Sequence, residues 1–308
     1  PLVCAMRTAS RLNSSLCIAA ISGLLDGEYC SQKTGTKPVQ VQIVGRIDLM
    51  GEDVHGLRIG QRVGVPWLAN TCGRCPYCRA GHENLCDQPT FTGYSVDGGY
   101  AEACLANARF IVPLDDTSDA ASLAPLLCAG LIGYRALKMV ADARSIGIYG
   151  FGAAAHIIAQ IAVAQQRHVF AVTRPGDKAT QKYALELGAT WAGDSDQLLP
   201  EELDAALIFA PDGSLVPRAL RAVRKGGCVV CAGIHMSQIP ALDYEDLWGE
   251  RILRSVANMT RTDAAEFMLR IHDMPVLTRT TIYALSDANL ALDDLRAGRL
   301  TGAAVLVP

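Results

Sequence analysis

Short β-rich segments and helical segments alternate from Ser145 onward, and this rhythm limits the possible folds more than any other feature of the chain. An apolar run that ends in glycines, SIGIYGFG, leads into the helical segment AAAHIIAQIAVAQQ, and a second β-rich run, HVFAVT, follows. The pattern repeats through the helix GDKATQKYALELG, the strands TWAG and LDAALIFAP, the helix SLVPRALRAVRKGG and the strand GCVVCAGI. Strands that alternate with helices of these lengths are typical of a parallel sheet with helices on both faces. The sequence therefore predicts an α/β fold with a doubly wound sheet.

The segment from Ser145 to Gln166 carries no Asp, Glu, Lys or Arg and approaches the length of a membrane span. It also contains a Gly-x-Gly turn and is flanked closely by Arg144 and Arg167. Strand, turn and helix account for it better, so we expect no membrane-spanning segment here.

The glycine turn has the form G-x-G-x-x-A, which matches a dinucleotide-binding fingerprint at a strand-to-helix junction. The first glycine permits the tight turn, the second lets a pyrophosphate approach, and the small last residue lets the helix pack on the sheet. A merely tight turn is the alternative. The predicted cofactor-binding residues are Gly150, Phe151, Gly152, Ala153, Ala154 and Ala155.

The end of the second strand bears on which dinucleotide binds. NAD sites usually have an acidic residue there for the ribose 2′-hydroxyl, whereas a neutral residue followed by Arg suits a 2′-phosphate. Here the strand ends in Thr173 and Arg174, with Lys178 close behind. This arrangement predicts a preference for NADP, with NAD and a solvated surface arginine as the alternative.

Four cysteines, Cys72, Cys75, Cys78 and Cys86, form the pattern C-x2-C-x2-C-x7-C. A zinc ion held by four thiolates has no open coordination position, so such a site is closed and structural. An iron–sulfur cluster is the alternative, but the long gap before the last cysteine and the absence of a second cysteine run disfavour it. The acidic balance of the chain disfavours a zinc ribbon for nucleic acid.

The chain has 308 residues, of which 50% are hydrophobic and 19% are charged, as expected for about two globular domains. Its net charge of -3 gives no indication of nucleic acid or an acidic membrane as a partner. Eleven cysteines in a long chain with no recognisable export signal predict metal ligands and buried thiols rather than disulfides. We therefore expect a cytoplasmic protein.

Five stretches together resemble the zinc-dependent alcohol dehydrogenases of the medium-chain dehydrogenase/reductase superfamily, nearest the cinnamyl-alcohol-dehydrogenase-like branch. They are GQRVGVPWLANTCGRCPYCRAGHENLC, FTGYSVDGGYAE, APLLCAGLIGYRAL, YGFGAAAH and GGCVVCAGIHMS. The resemblance implies a GroES-like β-barrel catalytic domain over residues 1–118 and 278–308, and a Rossmann NAD(P)-binding domain over residues 119–277. It also implies that the four cysteines hold a structural zinc, that hydride passes between NAD(P) and a small primary alcohol or aldehyde, and that the protein is a homodimer or homotetramer.

The family also carries a catalytic zinc, and the resemblance implies that Cys128, in APLLCAGLIGY, is one of its ligands. Cys17 lies close to a second ligand position. Where the family has Gly-His, this chain has Gln40 and Val41, and no histidine precedes His55.

His235, in AGIHMS, follows a strand at the edge of the sheet where ligands bind in such folds. It is a candidate contact of the nicotinamide, with an ordinary loop histidine as the alternative.

The N-terminal segment PLVCAMRTASRLNSSLCIAAISG lacks the alternation expected of the opening strands of a barrel, which predicts an unpaired barrel edge. The Thr and His of the family's proton relay are also missing, which predicts little or no turnover by this chain as it stands. Two hypotheses follow. The first is an NADP-preferring alcohol dehydrogenase or aldehyde reductase with zinc at Cys128, and the second is an impaired homologue that keeps only the structural zinc and nucleotide binding. Zinc-free hydride transfer, as in the quinone reductases of the superfamily, is disfavoured by the four-cysteine lobe.

Overall fold

The computed structural model describes residues 3–7, 18–22, 40–234, 236–274, 276–300 and 302–308. The chain forms two compact units, one of Pro1–Leu131 with Asn258–Pro308 and one of Ile132–Ala257. These are called unit 1 and unit 2 below. Unit 1 includes Cys128, whereas the predicted boundaries at 118 and 277 would assign that residue to the nucleotide-binding domain. Those boundaries stay a prediction about the domains.

In the described part of the chain the strands are β1 Val3–Arg7, β2 Ile18–Ser22, β3 Gln40–Met50, β4 Arg62–Val65, β5 Leu68–Asn70, β6 Thr90–Phe91, β7 Ala103–Asn107, β8 Val112–Pro113, β9 Ser145–Tyr149, β10 His168–Thr173, β11 Trp191–Asp194, β12 Leu203–Ile208, β13 Val223–Cys231, β14 Ile252–Ser255, β15 Thr280–Ala284 and β16 Ala303–Val307. The α-helices are α1 Pro76–Arg79, α2 Ala120–Leu123, α3 Ala129–Lys138, α4 Ala153–Ala164, α5 Lys178–Glu186, α6 Leu215–Ala222, α7 Tyr244–Leu247, α8 Arg261–Asp273 and α9 Ala288–Arg296. Short 3-10 helices cover Glu83–Leu85, Ala108–Phe110, Ala124–Leu127 and Leu285–Asp287.

Unit 1 is built on an eight-stranded sheet in the order β15-β16-β2-β3-β1-β7, with β4 paired to β3 and β8 paired to β4. Its core includes Ile43 and Ile47 from β3, Val63 from β4 and Leu306 from β16, all of them buried. The last strands of the chain therefore return to the first half, as the resemblance implies.

The expectation of an unpaired barrel edge at the N-terminus is wrong. The backbone of β1 pairs antiparallel with β3 and β7, and the backbone of β2 pairs antiparallel with β3 and β16. Backbone hydrogen bonds from distant strands fix these segments as strands even though their sequences lack alternation, because pairing partners outweigh local preference.

Unit 2 contains a six-stranded, wholly parallel sheet in the order β11-β10-β9-β12-β13-β14. Counted along the chain from β9, this is the order 3-2-1-4-5-6 of a doubly wound dinucleotide-binding fold. The direction of the strand order changes between β9 and β12, and the carboxyl edge of the sheet at that point is where ligands bind in such folds. The structure thus confirms the predicted parallel sheet.

Within the described ranges, no single helix is long and apolar enough to cross a membrane. The helical segments Ala120–Leu127 and Ala129–Lys138 pass that test of length and composition only when taken together, and they are bent by 48° where they meet. The apolar stretch after Ser145 forms β9 and α4, as expected.

Candidate metal and nucleotide sites

The four predicted metal ligands converge in unit 1. The Sγ atoms of Cys72, Cys75, Cys78 and Cys86 all lie within 4.8 Å of one another, and those of Cys72 and Cys78 are 4.0 Å apart. Tetrahedral zinc with Zn–S bonds of about 2.3 Å needs sulfur atoms about 3.8 Å apart, so the spacing suits one metal ion. The eight cysteines whose side chains the structure describes are free thiols, so these four are not consumed by a disulfide.

Local backbone geometry brings the thiols together. The backbone N–H of Cys75 donates to the Sγ of Cys72 at 3.3 Å, and that of Cys78 donates to the Sγ of Cys75 at 3.5 Å. The N–H groups of Cys72 and Gln88 both donate to the Sγ of Cys86 at 3.3 Å. Such donors favour thiolate, which is the form that binds metal.

The pKa values of three of these thiols are shifted, and not all in the same direction. A backbone N–H at Arg74 and one at Cys75 lower the pKa of Cys72 to about 6, and the N–H of Cys78 lowers the pKa of Cys75. Burial raises the pKa of Cys78 to about 11. A metal cation would favour deprotonation of all four. The donor set and its geometry therefore fit a zinc ion.

The metal-binding segment is also attached to helix α8 by a charge pair that sequence analysis missed. The buried carboxylate of Glu83, between Cys78 and Cys86 in the sequence, pairs with Arg261 at 2.6 Å. Burial opposes ionisation of Glu83, but hydrogen bonds from Arg261 outweigh it and lower the pKa of that carboxyl. No local pattern signals this pair, because its partners are 178 residues apart.

The glycine turn lies at the carboxyl end of β9, where the strand order of unit 2 changes direction. Gly150 has a φ of +83°, and a Cβ there would lie 2.7 Å from the backbone nitrogen of Ala210. Gly152 is different, because its φ is -91° and a Cβ there would meet no atom within 4 Å. The first glycine thus serves the fold, whereas the second leaves open space in front of the turn.

Helix α4 begins directly after this turn and presents its N-terminus to the same open space. Gly152 is the N-cap and provides no side chain to cap the helix. Ala153 and Ala154 are partly exposed, and Ala155 is fully buried, as required for close packing of the helix. Uncapped N–H groups and the positive end of the helix dipole suit a pyrophosphate. The arrangement fits a dinucleotide.

The hydroxyl group of Thr173, at the end of β10, is hydrogen-bonded within the protein. Thr173 is buried, and its hydroxyl donates weakly to the carbonyl of Gly193 at 3.3 Å and accepts from Nε2 of Gln181 at 2.9 Å. Arg174 is exposed. Contacts of Thr173 and Arg174 with a cofactor stay predictions.

An acidic residue stands on the neighbouring strand, at Asp194, in register with Thr173. Its Oδ1 accepts from Nε2 of Gln181, from the backbone N–H of Gly176 at 3.1 Å and from Nζ of Lys178 at 3.5 Å. The hydrogen bond from Gln181 is the main reason that its pKa is lowered. Asp194 is thus committed to ordering the loop after β10.

Cys128 lies in unit 1 at the end of the 3-10 helix Ala124–Leu127 and is half-buried. Strand β4 packs tightly on that helix, since a Cβ at Gly64 would lie 2.6 Å from the side chain of Leu127. Among the described residues, the cysteine lobe is the only group of three or more metal-ligating side chains that converge. The described residues therefore do not by themselves complete a zinc site at Cys128. Cys17 and His235 lie outside the described residues.

Gln42 is a polar residue whose importance was not recognised from sequence. Its side chain is fully buried on β3, and neither its amide nitrogen nor its amide oxygen has a hydrogen-bond partner among the described residues. It directly follows the two positions where the family would have Gly-His. An unpaired buried amide is costly, so Gln42 is an unfavourable residue for the core of unit 1 on packing grounds alone.

The alcohol dehydrogenase GroES-like domain family matches residues 14–116. A probable alcohol dehydrogenase, AdhA, of Mycobacterium tuberculosis is 47% identical over 274 residues, which cover 86% of this chain and 79% of that protein.

Two solved structures share the fold at lower sequence identity. CAD from Helicobacter pylori, complexed with NADP(H), has a TM-score of 0.82 and 21% identity, covering 99% of this chain and 90% of that one. A cobalt- and zinc-bound thermostable alcohol dehydrogenase from Pyrobaculum aerophilum has a TM-score of 0.83 and 19% identity, covering 99% of this chain and 91% of that one.

We predict that Cys75→Ser lowers the zinc content of the purified protein and its melting temperature. Structural metal binding is coupled to folding, so the midpoint should fall by roughly 5 °C or more. Metal analysis and calorimetry measure both. Cys228→Ser is the control, because this half-buried cysteine lies on β13, outside the cluster. Equal zinc content in the two variants would contradict the assignment.

We predict opposite effects from alanine at the two glycines of the turn. Gly152→Ala should keep the melting temperature but weaken NADPH binding by about tenfold or more, since a methyl group would occupy the space for the pyrophosphate. Gly150→Ala should cost about 1–3 kcal/mol of folding free energy, because the left-handed conformation strains alanine. Calorimetry of unfolding and of NADPH binding tests both. Unchanged NADPH affinity in Gly152→Ala would argue against a nucleotide at this turn.

Proposed function

The chain belongs to the zinc-dependent alcohol dehydrogenases of the medium-chain dehydrogenase/reductase superfamily, and on that premise we propose that it transfers hydride between NADP(H) and a small primary alcohol or its aldehyde. The identity of 47% over most of the chain to a probable alcohol dehydrogenase carries the family assignment. The reaction class, oxidation of an alcohol with a nicotinamide cofactor, follows from it. None of the comparisons favours an impaired homologue.

The glycine turn supports the cofactor proposal. The open space at Gly152 and the uncapped start of α4 bind the pyrophosphate, while Gly150 holds the turn in shape. The cofactor supplies the hydride. The chain's part is to orient it, by fixing the pyrophosphate at the carboxyl edge of β9.

The preference for NADP(H) over NAD(H) rests on the charges after β10. No carboxylate at the end of this strand is free for a ribose 2′-hydroxyl, because position 173 is threonine and Asp194 is bonded to Gln181 and Gly176. Arg174 is exposed, and Lys178, whose side chain is 70% exposed, keeps a long contact of 3.5 Å with Asp194 and a hydrogen bond to Gln181. Two cations beside the ribose position favour the additional phosphate of NADP.

We also propose that Cys72, Cys75, Cys78 and Cys86 bind the structural zinc. The closeness of the four sulfur atoms supports it, and four thiolates leave no open position for a substrate. This ion contributes a cross-link rather than chemistry.

In this proposal, the substrate binds near Cys128. A family catalytic zinc would polarise the alcohol oxygen when bound there. The family resemblance makes Cys128 one ligand in this proposal, whereas the sequence has valine, at position 41, where the family has the histidine ligand. We therefore assign Cys128 to the catalytic site by family and derive no step through a metal held by this chain.

Self-association is the proposed quaternary state. Strand β14 is an edge of the parallel sheet among the described strands, and it exposes Ile252. Tyr244 and Trp248, 72% and 62% exposed, lie just before it. Exposed apolar residues along an open edge suit pairing with a second copy, which sedimentation velocity would detect. The free thiols favour a reducing compartment, and we propose the cytoplasm.

We predict that NADPH binds more tightly than NADH and that Arg174→Ala reduces this difference by about tenfold, the value of one charge-assisted hydrogen bond. Calorimetric titration with both cofactors measures it. Lys182→Ala is the matched control, because Lys182 is another exposed cation, on α5, and it pairs with Glu186 instead. Equal affinities for the two cofactors in the parent protein would overturn the proposed preference.

We predict that replacing residues 1–41 by a family-like segment, with Gly-His directly before Gln42, raises turnover by about 10²-fold or more. The replacement restores a metal ligand and the positioned proton relay that this chain lacks. Oxidation of benzyl or cinnamyl alcohol with NADP, followed by absorbance, measures it. Cys128→Ser in the chimera should abolish the gain. A parent chain that already turns over as fast as the chimera would show that the histidine is dispensable here.

A further inference from the structure

The zinc-binding lobe, residues 71–88, has almost no apolar core of its own. Helix α1 within it buries no residue. In the 3-10 helix Glu83–Leu85, the residue that is buried is the charged Glu83. A segment that buries so little apolar surface is not fixed by the hydrophobic effect. Its position must come from the metal and from polar contacts with the rest of unit 1.

Glu83 makes an unusually complete set of such contacts, all with one residue. Its Oε1 accepts from the backbone N–H of Arg261 at 2.8 Å and from Nε at 3.0 Å. Its Oε2 accepts from Nε at 3.0 Å and from Nη2 at 2.6 Å. A two-pronged guanidinium–carboxylate pair of this kind fixes orientation as well as distance.

Arg261, the partner of Glu83, is also held by other contacts. Arg261 is the first residue of α8, directly after Thr260, and that helix begins with a reciprocal cap in which Thr260 and Asp263 bond each other. Both are buried. The guanidinium also lies over the ring of Phe110, 5.0 Å from its centre. The arginine is therefore also held by contacts outside the metal-binding lobe.

The contact leads directly to a metal ligand. The backbone N–H of Cys86 donates to the carbonyl of Glu83 at 3.1 Å, closing the 3-10 turn between them. Fixing Glu83 thereby fixes the position of the Cys86 sulfur, which is the last of the four ligands to arrive along the chain. Partners that orient a ligand commonly change metal affinity when they are removed.

We propose that Glu83 and Arg261 form a clamp that positions Cys86 for the metal, so that metal binding in the lobe and docking of the lobe on α8 are one coupled event. The inference rests on the proposed structural zinc. Arg261 acts through Glu83 and is a positioning residue. Because removal of either partner breaks the same clamp, the two residues should behave as one unit in a double-mutant comparison.

The experiment measures zinc release into an excess of the chromogenic chelator 4-(2-pyridylazo)resorcinol, at a temperature where every variant is folded. Arg261→Gln and Glu83→Gln should each release zinc about 10- to 100-fold faster than the parent. The double variant should release it no faster than the single variants. Arg261→Lys keeps the charge but not the two-pronged geometry, so its rate of zinc release should lie between those of the parent and of Arg261→Gln. If Arg261→Gln does not fold, Arg261→Lys takes its place in the comparison.

Phe267→Leu is the matched control. Phe267 is fully buried on the same helix, and its substitution lowers stability without touching the clamp. It should lower the melting temperature and leave the zinc release rate of the parent. Fast release from this control, or parent-like release from Arg261→Gln, would overturn the clamp while leaving the zinc site standing. A parent protein that holds no metal would overturn both the zinc site and the clamp.

Discussion

Unit 1 depends on backbone pairing between segments that lie far apart in the chain. Strand β16 is hydrogen-bonded to β2 through pairs such as Ala304 with Ile21, and β2 continues the sheet into β3. The whole of unit 2 lies between these segments in sequence. Bringing the ends of so long a chain segment together costs conformational entropy, and contacts within each segment do not offset that cost. Two long-range contacts offset this entropy cost. They are the pairing of β16 with β2 and the ion pair between Glu83 and Arg261, and both use residues after Asn258.

The sequence predicted unit 2 well because its signals are local. Each strand of a parallel sheet is a short apolar run, and each is separated by a helix with its own period, so no partner needs to be known. The largest error in this unit was at β13. The run RAVRKGG continued a helical pattern, yet α6 ends at Ala222 and β13 begins at Val223. Val223 pairs with Leu203 across an irregular register, and that contact decides the boundary.

Unit 1 was predicted less well because its signals are not local. The strands β1 and β2 lack alternation and become visible only through their partners. The same reason hides the clamp, since nothing near Glu83 in the sequence indicates Arg261. By contrast, the four cysteines were found at once, because metal geometry demands close spacing along the chain for at least some of its ligands. Their convergence in space follows from turns that the sequence itself specifies, at Gly73 and Gly81, which both have positive φ.

The glycine turn after β9 and the loop after β10 differ in the physical property that a substitution would change. At the glycine turn, shape is decisive: Gly150 is constrained by the neighbouring backbone of Ala210, whereas a Cβ at Gly152 would meet no atom within 4 Å. At the loop after β10, charge is decisive, and the acidic residue of that region, Asp194, is tied to Gln181 and Gly176. Its carboxylate stabilises the loop that carries Arg174, because it accepts the N–H of Gly176 within that loop. An acidic group on the neighbouring strand thus supports the loop that carries the exposed Arg174, and under the proposed function the preference between the two cofactors depends on the cations of this loop.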